Sequence, residues 1–180
     1  VIKKIVVLSR LWVEAFLKKE RPIENITTEP WSLISIYSDR PLLDESNTIT
    51  LKSLGCDDYL TLRFSDITKT TYNSIPEDEL KTINLFTREQ AHQIINFLDT
   101  IKNKVETLVV QCTAGVSRSG AVGLFAHRYL NTDEEEFWRQ NKNILPNEHV
   151  LQLLMEASGL RDNYEERWKY FDDINPNNIF

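Results

Sequence analysis

A cysteine and an arginine separated by five residues stand in Gln111-Cys112-Thr113-Ala114-Gly115-Val116-Ser117-Arg118-Ser119-Gly120. A thiol and a guanidinium at that spacing suit one kind of chemistry when the chain turns between them. The β-rich apolar run Thr107-Leu108-Val109-Val110 leads in, and an apolar helical pattern from Ala121 to Leu130 leads out. A short strand-to-helix loop can wrap a tetrahedral oxyanion with backbone N–H groups. Here these belong to Thr113, Ala114, Gly115, Val116, Ser117 and Arg118. Arg118 then closes the ring with a planar fork that bonds two phosphate oxygens at once. Gly115 lets the backbone bend without a Cβ clash. The positive end of the helix dipole and the guanidinium both favour a thiolate at Cys112. Ser119 is placed to donate a hydrogen bond to the sulfur and make it a better leaving group in a second step. In outline this is a covalent phosphoryl-transfer site. The same residue types also occur without chemistry, a cysteine as core and an arginine as the first residue of a helix. The strand before, the glycine inside, the hydroxyl after and the helix beyond favour the chemical reading.

These residues resemble the signature of the cysteine-dependent protein tyrosine phosphatases, Cys-x5-Arg followed by Ser or Thr. Cys112, Arg118 and Ser119 match it residue for residue. The compact length is similar to the dual-specificity branch, and closer still to its bacterial tyrosine-phosphatase-like members. The likeness extends to Leu33-Ile34-Ser35-Ile36, to Leu62-Arg63-Phe64-Ser65-Asp66-Ile67 and to Leu145-Pro146-Asn147. It implies an α/β fold with a phosphate-binding loop at a strand-to-helix turn, a phosphocysteine intermediate, and a general-acid Asp on a loop after a strand. One position departs: the family usually has His before the cysteine, where this chain has Gln111, which bonds neighbouring backbone but carries no charge.

Composition bounds the alternatives. One hundred and eighty residues suit a single domain, 1–180, with a sizeable core. A formal net charge of −6 argues against a general nucleic-acid or anionic-membrane binder. The two cysteines, Cys56 and Cys112, make no disulfide framework, and a catalytic thiol fits a reducing compartment. No apolar run approaches the length of a membrane span, and Val1 to Leu8 is too short and strand-like for a secretory signal. The cytoplasm is therefore the expected location. A basic anion loop supplies the charge that a metal otherwise would, so neither metal nor other cofactor is expected.

The elements that must position Cys112 alternate between strand and helix. Ile2 to Leu8 reads as a buried strand, and Ser9 is placed to cap a helix through Lys19 that carries Leu11, Trp12, Ala15 and Phe16. Ser32 to Tyr37 and Tyr59 to Phe64 read as further strands. The connection from Ile67 to Phe86 is long enough to expect a lid or a short helix within it. Thr87 with Gln90 makes a capping box for a stripe of Ala91, Ile94, Ile95, Leu98 and Ile101. Asp133 caps a helix whose core contact is Phe137. Pro146-Asn147 opens another, with Val150, Leu151, Leu154 and Ala157 inward and Gly159 at its end. Arg161 to Phe171 reads as a last helix that packs Tyr164 and Trp168, and the tail Asn175-Pro176-Asn177-Asn178 as frayed. The alternation predicts an α/β fold around a mostly parallel sheet flanked by helices.

Asp66 follows the Tyr59–Phe64 strand, where ligand sites of open α/β sheets lie, and is the preferred general acid. Asp78, Glu77 and Glu79 are rivals on the same connection. Asp57 and Asp58 precede the strand and belong to its other end. Histidines 92, 127 and 149 occupy separate helical patterns without metal-ligand spacing. Cys56 reads as core, with a minority reading as a redox partner of Cys112. Trp12, Trp31, Trp138 and Trp168 read as packing residues. The favoured activity is hydrolysis of a phosphorylated protein or a small aryl phosphate. The alternatives are a catalytically weak phosphate-binding module, a rhodanese-like sulfurtransferase and a phosphoinositide phosphatase. Relatives of the last kind carry Lys within the loop, where Thr113, Ala114, Val116 and Ser117 are uncharged.

Overall fold

Four short runs rich in branched residues become the strands of one sheet: β1 (Lys4–Ser9), β2 (Trp31–Tyr37), β3 (Cys56–Arg63) and β4 (Thr107–Cys112). They lie in the order β1-β4-β2-β3, and every pairing is parallel. The computed structural model describes residues 1–160. The expected last helix from Arg161 and the tail around Pro176 fall outside the described residues. β4 is central and buried along its whole length, which is why it reads as a continuous apolar run rather than an alternating one. Its side chains still divide by parity. Leu108, Val110 and Cys112 join one core layer, while Val109 joins the other.

The helices cover both faces, as a parallel sheet requires. On one side, α4 (Arg88–Ile101), α5 (Arg118–Leu130), α6 (Glu134–Gln140) and α7 (Glu148–Ser158) contribute Ile94, Leu98, Phe125, Phe137, Leu151 and Leu154 to the larger core. On the other, α1 (Arg10–Leu17) and α2 (Glu45–Ser53) bring Val13, Phe16, Leu17 and Leu51 against Trp31, Leu33 and Val109. The capping signals act as the sequence predicts. Thr87 and Gln90 form a reciprocal capping box, Asp133 accepts from Glu136 N at 2.7 Å, and Gly159 ends α7 at φ +72°. No helix among the described residues is long and apolar enough to cross a membrane.

Several local expectations are corrected. β1 begins at Lys4 rather than Ile2 and runs through Ser9, whose side chain makes no cap bond to α1. Leu11 and Trp12 do not face the core; they are 76% and 39% exposed, and burial passes to Val13, Ala15, Phe16 and Leu17. Trp12 instead lies under the Arg21 guanidinium, 3.9 Å from the ring centre, a cation–π contact. β3 starts at Cys56, so Asp57 and Asp58 are inside the strand, at the end away from Arg63. Helix α2 has little apolar signal because Leu51 is its one buried residue; Asp44, accepting from Asn47 N at 2.8 Å, starts it. The long connection holds the short helix α3 (Lys69–Asn73) and a 3-10 turn at Leu80–Thr82.

β1 is an edge strand, and its outer edge is closed by a side chain. Asn141, just past α6 and 3% exposed, accepts from Val7 N at 2.7 Å and donates to the Ile5 carbonyl at 2.9 Å. It bonds β1 as a neighbouring strand would and removes a pairing edge. An Asn141→Ala change leaves both groups unpaired, at about 1–3 kcal/mol for each buried group. Denaturant unfolding should show a loss of about 2–6 kcal/mol on that basis. A loss below about 1 kcal/mol would mean that the amide does not hold the edge.

Candidate active site

β1 and β4 end together, with Ser9 paired to Cys112, so the sheet delivers the thiol at its C-terminal edge. The chain turns through residues 113–117 and enters α5 at Arg118. Gly115 makes the turn possible for two reasons. Its φ is +72°, and a Cβ there would lie 2.5 Å from the Leu8 carbonyl carbon. The loop therefore leans directly on the backbone at the end of β1.

The loop's carbonyls are held from outside. Thr113 O accepts from Arg10 N at 3.2 Å, Val116 O from Leu145 N at 3.2 Å, and Ser117 O from Asn147 N at 3.1 Å and Ala121 N at 2.9 Å. Among the described residues, no protein acceptor meets the N–H groups of residues 113–117. Three of the loop's carbonyls, those of Thr113, Val116 and Ser117, are committed while its backbone donors are not, and the positive end of a thirteen-residue helix adds to them.

Arg118 is 5% exposed, and its hydrogen bonds define which edge of the fork is in use. Nη1 donates to the Phe64 carbonyl at 2.9 Å and to Ser38 Oγ at 2.8 Å. Nη2 donates to Thr113 Oγ1 at 3.1 Å, and Nε is buried with no protein partner. A buried donor left alone is costly, and an anion meeting Nε and Nη2 together would satisfy it. Cys112 Sγ lies 2.9 Å from Ser119 Oγ, and both residues are buried.

Asp66 meets this loop from the end of β3. Phe64, packed on Phe86 with ring centres 4.7 Å apart, donates its N–H to Tyr37 O and gives its carbonyl to Arg118. Two residues on, Asp66 Oδ1 accepts from Ser117 Oγ at 2.6 Å and from Asn147 Nδ2 at 3.0 Å. Glu77, Asp78 and Glu79 are exposed beside Pro76, where Glu79 N bonds the Pro76 carbonyl. Hydrogen bonding to the Cys112 loop thus belongs to Asp66 and not to these rivals. Gln111 is buried and accepts from Ser35 Oγ at 2.8 Å.

The remaining candidates separate from the site. Cys56 is fully buried against the opposite core layer, and desolvation, helped by Asp57 and Asp58, pushes its thiol up to about 12. Trp31 pairs with both Cys56 and Thr107, so Cys112 stands five residues farther along its strand. That is about 16 Å along the sheet, beyond the roughly 7 Å Cα separation a disulfide tolerates. The redox-partner reading of Cys56 is corrected. His127 stacks on Phe137 with Nδ1 2.8 Å from Thr132 Oγ1, and desolvation lowers its pKa. His149 meets the Phe86 carbonyl at 3.0 Å, and His92 is exposed on α4. Among the described residues, no three His, Cys, Asp or Glu side chains are grouped to hold a metal ion. Trp31 is core and donates to Leu54 O, and Trp138 packs edge-on to Phe137.

Ser38, the Thr113 side chain and the Asn147 amide have no role in the sequence reading. Ser38 had a weak signal, since it follows a strand at the edge where parallel sheets gather ligands. Asn147 is legible as a cap, but its second bond, across 81 residues to Asp66, has no local sign.

No family model matches this chain, and no curated protein does. Several solved structures match across most of its length. Tk-PTP in its active form shares 14% identity over 82% of this chain and 86% of that one, with a TM-score of 0.46. The human tyrosine phosphatase-like serine/threonine/tyrosine-interacting protein shares 15% over 82% and 88%, at 0.49. PTPMT1 in complex with PI(5)P shares 17% over 87% and 91%, at 0.47. At these identities and scores, the chemistry rests on this chain's own residues.

The placement of the two thiols is directly measurable. Alkylation of the native protein should leave Cys56 unmodified until denaturant is added, and mild oxidation should give no Cys56–Cys112 disulfide in peptide maps. Native labelling of Cys56 or recovery of that disulfide would contradict the burial and separation described.

Proposed function

We propose that the protein is a phosphomonoester hydrolase of protein tyrosine or dual-specificity type, acting through a phosphocysteine at Cys112. The observation that carries this reading is the Arg118 guanidinium, buried yet with Nε unpartnered, beside a loop whose backbone donors are uncommitted. That arrangement suits a tetrahedral oxyanion bound by amides and a bidentate fork. The Cys112 thiolate attacks phosphorus as the ester P–O bond breaks, and Asp66 gives its proton to the departing oxygen. Water then attacks, Asp66 takes back a proton, and the P–S electron pair returns to a sulfur that Ser119 Oγ stabilises.

The substrate class follows from charge. Thr113, Ala114, Val116 and Ser117 are uncharged in a chain of net charge −6. Extra phosphates on an inositol ring would find no partners in that loop, whereas one aryl phosphate is fully met. A phosphotyrosine protein or small aryl phosphate is the proposed substrate.

Steady-state kinetics and oxyanion binding test this together. Cys112→Ser should abolish turnover and keep phosphate binding, because Arg118 and the amides remain. Arg118→Lys should lose both, since a point charge cannot replace the fork. Asp66→Asn should slow phosphotyrosine peptides by about 10²–10⁴ and an activated aryl phosphate much less. Hydrolysis by Cys112→Ser near the wild-type rate would end the covalent reading. Tight phosphate binding with no turnover by the wild type would favour a binding module instead. A clear kcat/KM preference for soluble phosphoinositides would overturn the substrate class.

A further inference from the structure

Asp66 is an exposed residue on a connection in which none of residues 65–85 is buried. Ser65 beside it is tied, among the described residues, only to Asn84 of the same connection, N–H to carbonyl at 2.7 Å. Yet Asp66 Oδ1 is doubly occupied, by Ser117 Oγ at 2.6 Å and Asn147 Nδ2 at 3.0 Å. Asn147 is itself 7% exposed and fixed on every side. Its Oδ1 caps α7 through Val150 N at 3.2 Å, its N–H meets Ser117 O at 3.1 Å, and Nδ2 also reaches Ile67 O at 3.4 Å. Helix α7 is anchored in the larger core by Val150, Leu151 and Leu154. The backbone beside Asp66 is steadied by the Phe64 and Ser65 contacts, but its carboxyl group is met by the Cys112 loop and by Asn147 on the helical core, not by side chains of its own connection.

The chemical consequence concerns which oxygen carries the proton. An oxygen that accepts two hydrogens has no room for a third, so Oδ1 behaves as the carbonyl oxygen and Oδ2 is left to hold the proton. From these contacts we infer that Asn147 is a positioning residue for proton transfer, seating the exchangeable proton of Asp66 on Oδ2 and fixing that group beside the Cys112 loop. The inference rests on the reading of Asp66 as proton donor. In the first step the ester oxygen's electron pair takes the Oδ2 proton as the S–P bond forms and the P–O bond breaks. In the second, water gives a proton to Oδ2 as its oxygen bonds phosphorus and the P–S pair returns to sulfur. Capping α7 and aiming Asp66 are then one residue's two bonds, made from opposite ends of its amide.

Asn147→Ser separates them, because serine keeps a capping oxygen and drops the amide donor. kcat on a phosphotyrosine peptide should fall by about 10–100-fold, the scale of a small misplacement of a reacting group. kcat on an activated aryl phosphate and the inhibition constant of inorganic phosphate should hold. The Asp66→Asn/Asn147→Ser double variant should be no slower than Asp66→Asn alone, since both changes remove one function. Asn147→Thr, which also keeps a capping oxygen and drops the amide donor, should behave like Asn147→Ser and serves if the serine variant does not fold. Equal losses on both substrates, an unchanged rate on the peptide, or full additivity with Asp66→Asn would overturn the role of Asn147. The underlying reading fails separately. If the wild type hydrolyses neither substrate, or Asp66→Asn shows no leaving-group dependence, the assignment of Asp66 falls first and this inference with it.

Discussion

The site depends on one buried cation. Taking a guanidinium out of water is costly unless oxygens surround it, and Arg118 draws them from three separate parts of the chain. The Phe64 carbonyl comes from the end of β3, Ser38 Oγ from the end of β2, and Thr113 Oγ1 from the loop itself. Those bonds draw the C-terminal ends of the sheet towards the first turn of α5. They also decide chemistry, because they saturate one side of the guanidinium and leave Nε without a partner. The same contact that steadies Phe64 steadies the chain two residues before Asp66.

Close approach of α5 to the sheet is the second requirement, and glycines supply it. A Cβ on Gly123 would sit 2.6 Å from Val7 Cγ2, and one on Gly120 would be 3.1 Å from Ile144 Cβ. Without these gaps the helix would stand off β1, and the loop could not rest on Leu8 and Ser9. Ile144 and Leu145 follow the same geometry, since Leu145 N bonds Val116 O and carries the chain to Asn147. Core packing, loop shape and the placement of Asp66 are in this sense one arrangement.

Much of this is legible in the sequence, for identifiable reasons. β4 and α5 declare themselves because a continuous apolar run and a long apolar helix flank Cys112 and Arg118. Thr87 with Gln90, Asp133 and Gly159 are local signals that tertiary structure had no cause to override. Helix α2 was hidden because a helix burying only Leu51 carries almost no periodicity. Trp12 misled because a large aromatic reads as core, whereas here it stacks beneath Arg21 at the surface. The partners of Arg118 and Asp66 were invisible for a simpler reason. Ser38 and Asn147 reach them across 80 and 81 residues, and only the folded topology closes those distances.

The proposed reaction turns on one species, a Cys112 that carries phosphorus during turnover. The most direct measurement mixes the wild-type protein with a phosphotyrosine peptide, quenches in acid within the first turnover and maps the digested chain. The expected result is phosphorus bonded to the Cys112 thiol, appearing before inorganic phosphate and decaying as phosphate forms. Steady release of phosphate with no phosphorus on Cys112 at any time, or with phosphorus on another residue, would contradict it.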